Sequence, residues 1–322
     1  MSLLHMSSVS KSLGLVSRVR LAQSLTPALR FKCDMPSGRV TQDLIQKAKE
    51  RQHLDGIDKK LSLPKMVQSF TPIKPQHFNS KGSEVLGDVY MSHPAWTREQ
   101  LDGVEITHLA ATSMAQRLSL ASVQTLRFFY DLFTGYTLGR KHERMMLRRI
   151  VVLETVAGIP GMVGAVVRHF RSLRTMNRDY GWIHSLLEEA ENERMHLMIA
   201  MTLRNASFPL RAVVFAAQVF FVPVYGIAYV LSPKFCHSFV GYLEEEAVKT
   251  YTKVVELIDA GKLPGFETLA PPAARDYFCL PDKATMRDVI LAIRADEGHH
   301  RELNHTLAQL SKKDVNPFPC GF

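Results

Sequence analysis

Two stretches decide the reading of this chain: "ENERMHLMIA" (residues 191–200) and "RADEGHHREL" (residues 294–303). Each places Glu-x-x-His on an otherwise apolar segment, Glu193 with His196 and Glu297 with His300. One such pair says little, because Glu and His three apart meet on any solvated helix. Two pairs at matching places in a repeated pattern need a common cause.

From about Gly103 onward the pattern is helical, and β-branched alternation is nearly absent. Breaks rich in Gly, Pro, Asn and Ser fall at 134–143, 178–182, 204–210, 231–235 and 259–273. They divide the chain into six long helices, expected at about 104–133, 144–172, 182–204, 209–231, 235–259 and 284–310. Within this array the order of acids repeats. Glu154 stands alone in "VVLETVAG", Glu193-x-x-His196 follows, then "LEEEA" at 243–247, then Glu297-x-x-His300. Ferritin-like carboxylate proteins build a two-metal core from one Glu on each of two helices and Glu-x-x-His on each of the other two. The expected fold is therefore all-α: a ferritin-like four-helix bundle with two additional membrane-surface helices.

Helical phase tests whether these groups face inward. Leu186, Glu189, Glu193, His196, Ala200 and Leu203 follow steps of three and four and form one stripe. Met286, Ile290, Ile293, Glu297, His300, Asn304 and Leu307 do the same. Among the three adjacent acids, the stripe Val240, Glu244, Ala247, Tyr251, Val255, Ile258 selects Glu244, and Glu245 and Glu246 point elsewhere. Glu188, Glu191 and Glu245 are read as members of solvated faces. An unpaired buried carboxylate has an idealised cost of tens of kcal/mol, so it protonates or finds a cation. No Lys or Arg shares these stripes, and two divalent metals supply the missing charge. Carboxylate and imidazole donors without thiolate suit iron or manganese. The alternative is a set of buried acids satisfied by water or by distant arginines.

The formal charge of +9 suggests a nucleic-acid partner until its location is considered. Residues 1–33 hold five Lys or Arg, seven Ser and no acid, the composition of a mitochondrial transit peptide. Without them the charge falls to +4 and is dispersed, and no zinc-finger or RNA-binding motif is present, so no nucleic-acid partner is expected. Residues 34–95, rich in Pro, Gly, Lys and Asp, read as an irregular arm, and 96–318 as the helical metal domain. Cys33, Cys236, Cys279 and Cys320 are too scattered for a zinc site or a disulfide framework.

Residues 212–231 are twenty uncharged residues, long enough to span a bilayer. A crossing there would put Glu193 and His196 on one side and Glu244, Glu297 and His300 on the other, roughly 30 Å apart. The metal site and a transmembrane helix exclude each other. A helix lying on one leaflet removes the conflict, and the first helix, with "LSLASVQTLRFFYDLF" and interspersed Arg117 and Arg127, has the same interfacial character. The competing reading makes 212–231 a buried core or dimer helix.

At this point the residues resemble the alternative oxidases, the cyanide-insensitive quinol oxidases of mitochondria, in their compact protist form. The shared motifs are "LETVAGIPGMVG" (153–164), "NERMHL" (192–197), "GYLEEEAV" (241–248) and "RADEGHH" (294–300), with "RHFRSLR", "RDYGWI" and "HPAWTREQLDGVEITH". The resemblance implies two iron ions in a non-haem centre, held by Glu154, Glu193, His196, Glu244, Glu297 and His300. It implies a monotopic homodimer on the matrix face of the mitochondrial inner membrane, reducing O2 with ubiquinol and pumping no protons. It further implies a redox tyrosine at Tyr251 and a quinol pocket at Arg149, Leu153, Glu246, Ala247 and Thr250, with Arg127 and Asp131 nearby. Asn192, Asp296 and Trp96 would support the ligands from behind. Phe278 departs from the Trp common in the family and puts in doubt any relay that needs that indole. Rival readings are a quinone-biosynthesis hydroxylase, a fatty-acyl desaturase, a ferritin-like iron-handling protein and a membrane-surface structural protein.

Overall fold

The computed structural model describes residues 96–136, 143–203 and 206–318. The transit-peptide and N-terminal-arm expectations lie outside the described residues. Among the described residues there are eight α-helices: α1 Arg98–Asp102, α2 Met114–Thr134, α3 Glu143–Thr175, α4 Trp182–Leu203, α5 Phe208–Leu231, α6 Pro233–Asp259, α7 Pro272–Tyr277 and α8 Met286–Gln309. Six are long, as expected, and α1 and α7 are single short turns.

The bundle consists of two tightly packed pairs, α3 with α4 and α6 with α8. Each pair joins a helix carrying a lone Glu to one carrying Glu-x-x-His, so the sequence repeat is a repeat of helix pairs. Two glycines set the close approach. A Cβ on Gly161 of α3 would lie 2.6 Å from the Leu186 carbonyl oxygen of α4. On α6, a Cβ at Gly241 would lie 2.5 Å from His305 Nδ1 of α8. The main core joins Met145, Ile150, Met195, Ile199, Tyr251, Val254, Val289, Ile290 and Ile293 from all four bundle helices.

One boundary differs from the sequence reading. The first long helix begins at Met114 rather than near 104, because Ser113 and Gln116 form a reciprocal capping box that fixes the start there. Residues 104–112 are a non-helical strap instead, laid along the bundle. Arg301 Nη1 donates to the Glu105 carbonyl (2.9 Å), and Arg294 Nη2 to that of Leu101 just before the strap (2.7 Å).

The helices α2 and α5 pack on α6 and α3 through a second cluster built on Val123, Tyr225, Tyr229, Phe239 and Val240. Their outer faces are apolar and exposed: Leu118, Phe128, Phe129 and Phe133 on α2, and Phe215, Phe220, Ile227 and Val230 on α5. Among the described residues two helices are long and apolar enough to cross a membrane; α3 is half buried in the bundle and α5 is 11% buried. Thus 212–231 is no buried core helix.

Candidate metal centre

The phase argument holds in three dimensions. Glu154 on α3, Glu193 and His196 on α4, Glu244 on α6, and Glu297 and His300 on α8 are all buried. Their ligand atoms form two groups, Glu154–Glu193–His196–Glu297 and Glu193–Glu244–Glu297–His300, each with all atoms within 4.8 Å of one another. Glu193 and Glu297 belong to both groups, so the two adjoining candidate sites have two carboxylates in common.

Whether a cation fits is decided by what these atoms lack. Glu154 Oε2, Glu193 Oε2, Glu297 Oε2 and His196 Nδ1 are buried without a hydrogen-bond partner, and His300 Nδ1 meets only Glu193 Oε1, at 2.8 Å. Unmet buried acceptors are expensive, and each costs about 1–3 kcal/mol. Here they converge from three helices on one point, and Glu244 joins them from the fourth. Burial and the neighbouring acids push the Glu154 and Glu244 carboxyls well above the usual carboxylate range. Cations between these oxygens remove both penalties together, and the mixed oxygen and nitrogen donor set suits iron or manganese.

The groups behind the ligands explain their orientation. Asp296 Oδ1 accepts from Trp96 Nε1 (2.6 Å), and its Oδ2 accepts from Asn192 Nδ2 (3.0 Å) and lies 2.8 Å from His196 Nε2. An ionised carboxylate can only accept, so His196 carries its proton on Nε2 and keeps the Nδ1 lone pair for a metal. Asn192 also bonds the Tyr277 hydroxyl (2.9 Å), and the Phe278 ring stacks on His196 with centroids 6.2 Å apart. Phe278 therefore covers the ligand ring but offers no N–H. The fully buried Tyr251 donates its hydroxyl hydrogen to Glu154 Oε1.

A second polar cluster lies between α2 and α6. Arg127 Nε donates to Asp131 (3.1 Å), and its Nη1 to Glu246 Oε2 (3.1 Å) and Thr250 Oγ1 (3.2 Å). Lys249 Nζ holds the other Glu246 oxygen at 2.6 Å. Asp131 also pairs with Arg149 Nη2 at 2.7 Å, and the Arg149 side chain is fully buried. Leu153 packs against the main core one turn beyond Arg149, and Ala247 is buried beside Glu246.

The sequence profile of the alternative oxidases matches residues 96–309. Alternative oxidases named as mitochondrial are also similar over most of the chain. That of Trypanosoma brucei brucei is 45% identical over 251 residues, covering 77% of this chain and 74% of that protein. That of Aspergillus niger is 47% identical over 243 residues, covering 71% and 69%. The chain belongs to the alternative oxidase family. Membership makes this alternative oxidase an oxidoreductase.

One expectation for its acids is overturned. Glu245 does not lie on a solvated face: it is 2% exposed. Its oxygens take His108 Nδ1 (2.6 Å), the Leu109 backbone N–H (2.9 Å) and His305 Nε2 (2.9 Å). The strap covers the side of α6 that helical phase left open to water. Glu188 and Glu191 are partly exposed and pair with His184 and Arg194 on their own helix. A second polar line was not anticipated. Asn304 Nδ2 donates to Glu189 (2.9 Å), Asn304 Oδ1 meets His237 Nδ1 (2.9 Å), and His237 Nε2 meets the Tyr229 hydroxyl (2.9 Å). The only sign of it in the sequence was Asn304 and Glu189 standing on the apolar stripes.

Proposed function

We propose that this oxidoreductase is a ubiquinol oxidase that reduces O2 to water at a pair of irons, with two ubiquinols oxidised per O2. The observation that carries the proposal is the convergence of Glu154, Glu193, His196, Glu244, Glu297 and His300 into two groups sharing Glu193 and Glu297. The irons, when bound, supply O2 binding and electron transfer in pairs. The chain's own residues do the rest. Asp296 fixes the ring of His196, and Tyr251 holds a redox-active hydroxyl against Glu154. Arg149 and Glu246 hold the quinol oxygens at the pocket formed with Leu153, Ala247 and Thr250, beside Arg127 and Asp131. A guanidinium keeps its proton, so Glu246 is the group that accepts the proton released by quinol.

The exposed apolar faces of α2 and α5 seat the protein on one leaflet, from which a lipid-soluble quinol reaches the pocket directly. We assign that leaflet to the matrix face of the mitochondrial inner membrane, in keeping with the relatives named mitochondrial. A further exposed apolar row on α3, Met162, Val166, Phe170 and Leu173, is the face offered to a second copy in a homodimer. On this reading none of the described helices crosses the bilayer to carry protons, and the redox energy is released as heat.

The test is oxygen uptake by the iron-loaded protein fed with ubiquinol, run beside Glu297→Ala. Full uptake in the variant refutes the site. Labelled O2 separates the rivals: an oxidase puts the label in water alone, and a hydroxylase puts one atom in its organic product.

A further inference from the structure

The fully buried Arg149 is gripped by the C-terminal end of α2 and the turn that follows it. Its guanidinium carbon lies 4.4 Å from the centroid of the Tyr130 ring and 4.0 Å from that of Tyr136, so the planar cation is flanked by two phenol rings. The Tyr130 hydroxyl donates to the Arg149 carbonyl (2.6 Å), Nη1 donates to Thr134 Oγ1 (2.7 Å), and Nη2 pairs with Asp131 (2.7 Å). All four partners come from the short segment 130–136.

Local geometry explains how one helix end supplies them. Gly135 ends α2 in the left-handed conformation (φ 75°), and the Tyr136 N–H closes back on the Asp131 carbonyl at 2.9 Å. This reversal, open to glycine at little cost, brings Tyr136 over the cation. The neighbouring positions face outward: Phe128, Phe129, Leu132 and Phe133 are 49–64% exposed. The grip is therefore the inner side of the segment whose outer side is offered to lipid.

Within this enclosure the Arg149 Nε–H is a buried donor with no partner. A buried unmet N–H on a group that stays protonated calls for an acceptor oxygen from a ligand. A guanidinium free to turn would place that donor in many directions. Stacking on aromatic faces restricts it to one plane.

We infer that Tyr130 and Tyr136 are positioning residues for quinol: they clamp the Arg149 guanidinium in the plane from which its free N–H meets a substrate oxygen. The inference rests on the reading of Arg149 as a quinol contact. The clamp acts on substrate affinity and leaves the metal groups untouched.

The experiment uses iron-loaded full-length protein in proteoliposomes and a short-chain ubiquinol, with KM and kcat measured for wild type, Tyr136→Leu, Tyr136→Phe and Arg149→Gln. In Tyr136→Leu the KM is expected to rise about tenfold, with kcat within twofold of wild type and iron content unchanged. Tyr136→Phe, which keeps the ring, is expected to hold KM within twofold. An unchanged KM in Tyr136→Leu overturns the clamp, and so does a fall in kcat at constant KM. An equal rise in Tyr136→Phe overturns it too, since the hydroxyl rather than the ring face would then be responsible. The proposed activity fails separately, if the iron-loaded wild type takes up no O2 with ubiquinol. The premise about Arg149 fails if Arg149→Gln leaves KM unchanged.

Discussion

Because Glu193 and Glu297 stand in both ligand groups while Glu154 and Glu244 stand in one each, single substitutions at these acids should differ in how many ions they remove. Glu193→Ala or Glu297→Ala damages both sites, and Glu154→Ala damages one. The magnitude can be worked through thermal stability. A ligand at a hundred times its Kd stabilises by about 2.7 kcal/mol per site, so two sites give about 5 kcal/mol. At roughly 2–4 °C per kcal/mol for a domain of this size, loading metal-free wild type with Fe(II) or Mn(II) should raise Tm by about 10–20 °C. Glu154→Ala should keep about half of that rise, and Glu193→Ala almost none. The assay pairs elemental analysis with an anaerobic thermal scan, with expected contents of two ions per chain for wild type, one for Glu154→Ala and none for Glu193→Ala. Equal metal loss in the two variants would refute the sharing, and an unmoved wild-type Tm would refute the metal reading itself.

Burial holds the His237 imidazole down to about 4, from an ordinary 6.5. A depressed histidine takes up its proton more readily in the unfolded chain, so stability is intact above about pH 6.5 and declines as the pH falls toward 4. The full loss is about 3 kcal/mol at 1.36 kcal/mol per unit, and His237→Gln should flatten that part of the Tm-against-pH curve relative to wild type; parallel curves would contradict the burial argument. Glu245→Ala removes the acceptor of the Leu109 N–H and of the buried His305 imidazole, while the half-exposed His108 can turn to water. Breaking such a buried group costs about 3–5 kcal/mol, read as a Tm drop of roughly 6–20 °C; a drop below about 2 °C would mean that the strap is not held there. Replacing Phe215, Phe220 and Ile227, which are 68%, 70% and 63% exposed, with Ser should weaken liposome binding. At about 1–2 kcal/mol each the expected loss exceeds a hundredfold by flotation, with metal content unchanged; undiminished binding would remove α5 from the membrane face.

The three consecutive acids Glu244, Glu245 and Glu246 mark how far the sequence could be read. Helical phase places them about 100° apart, and that much was legible. Glu244 falls on the apolar stripe and reaches the buried cluster of acids and histidines, because a stripe records only the helix's own packing face. Glu246 turns toward Arg127 of α2 and Lys249 on its own helix, a placement suggested by family resemblance and not by periodicity. Glu245 was misread because its partners come from beyond α6: a strap 136 residues earlier in the chain and His305 on α8. A non-helical strap carries no periodicity from which its path could be inferred. One local trace did exist. Gly241 sits inside α6 one turn before Glu245, where glycine costs about 1 kcal/mol relative to alanine. Such a residue signals a close neighbour, and the neighbour is His305, the imidazole that holds Glu245. The same logic applies to Gly161 against α4, so the glycines inside these helices show where their partners press closest, while the charged residues show what those partners must carry.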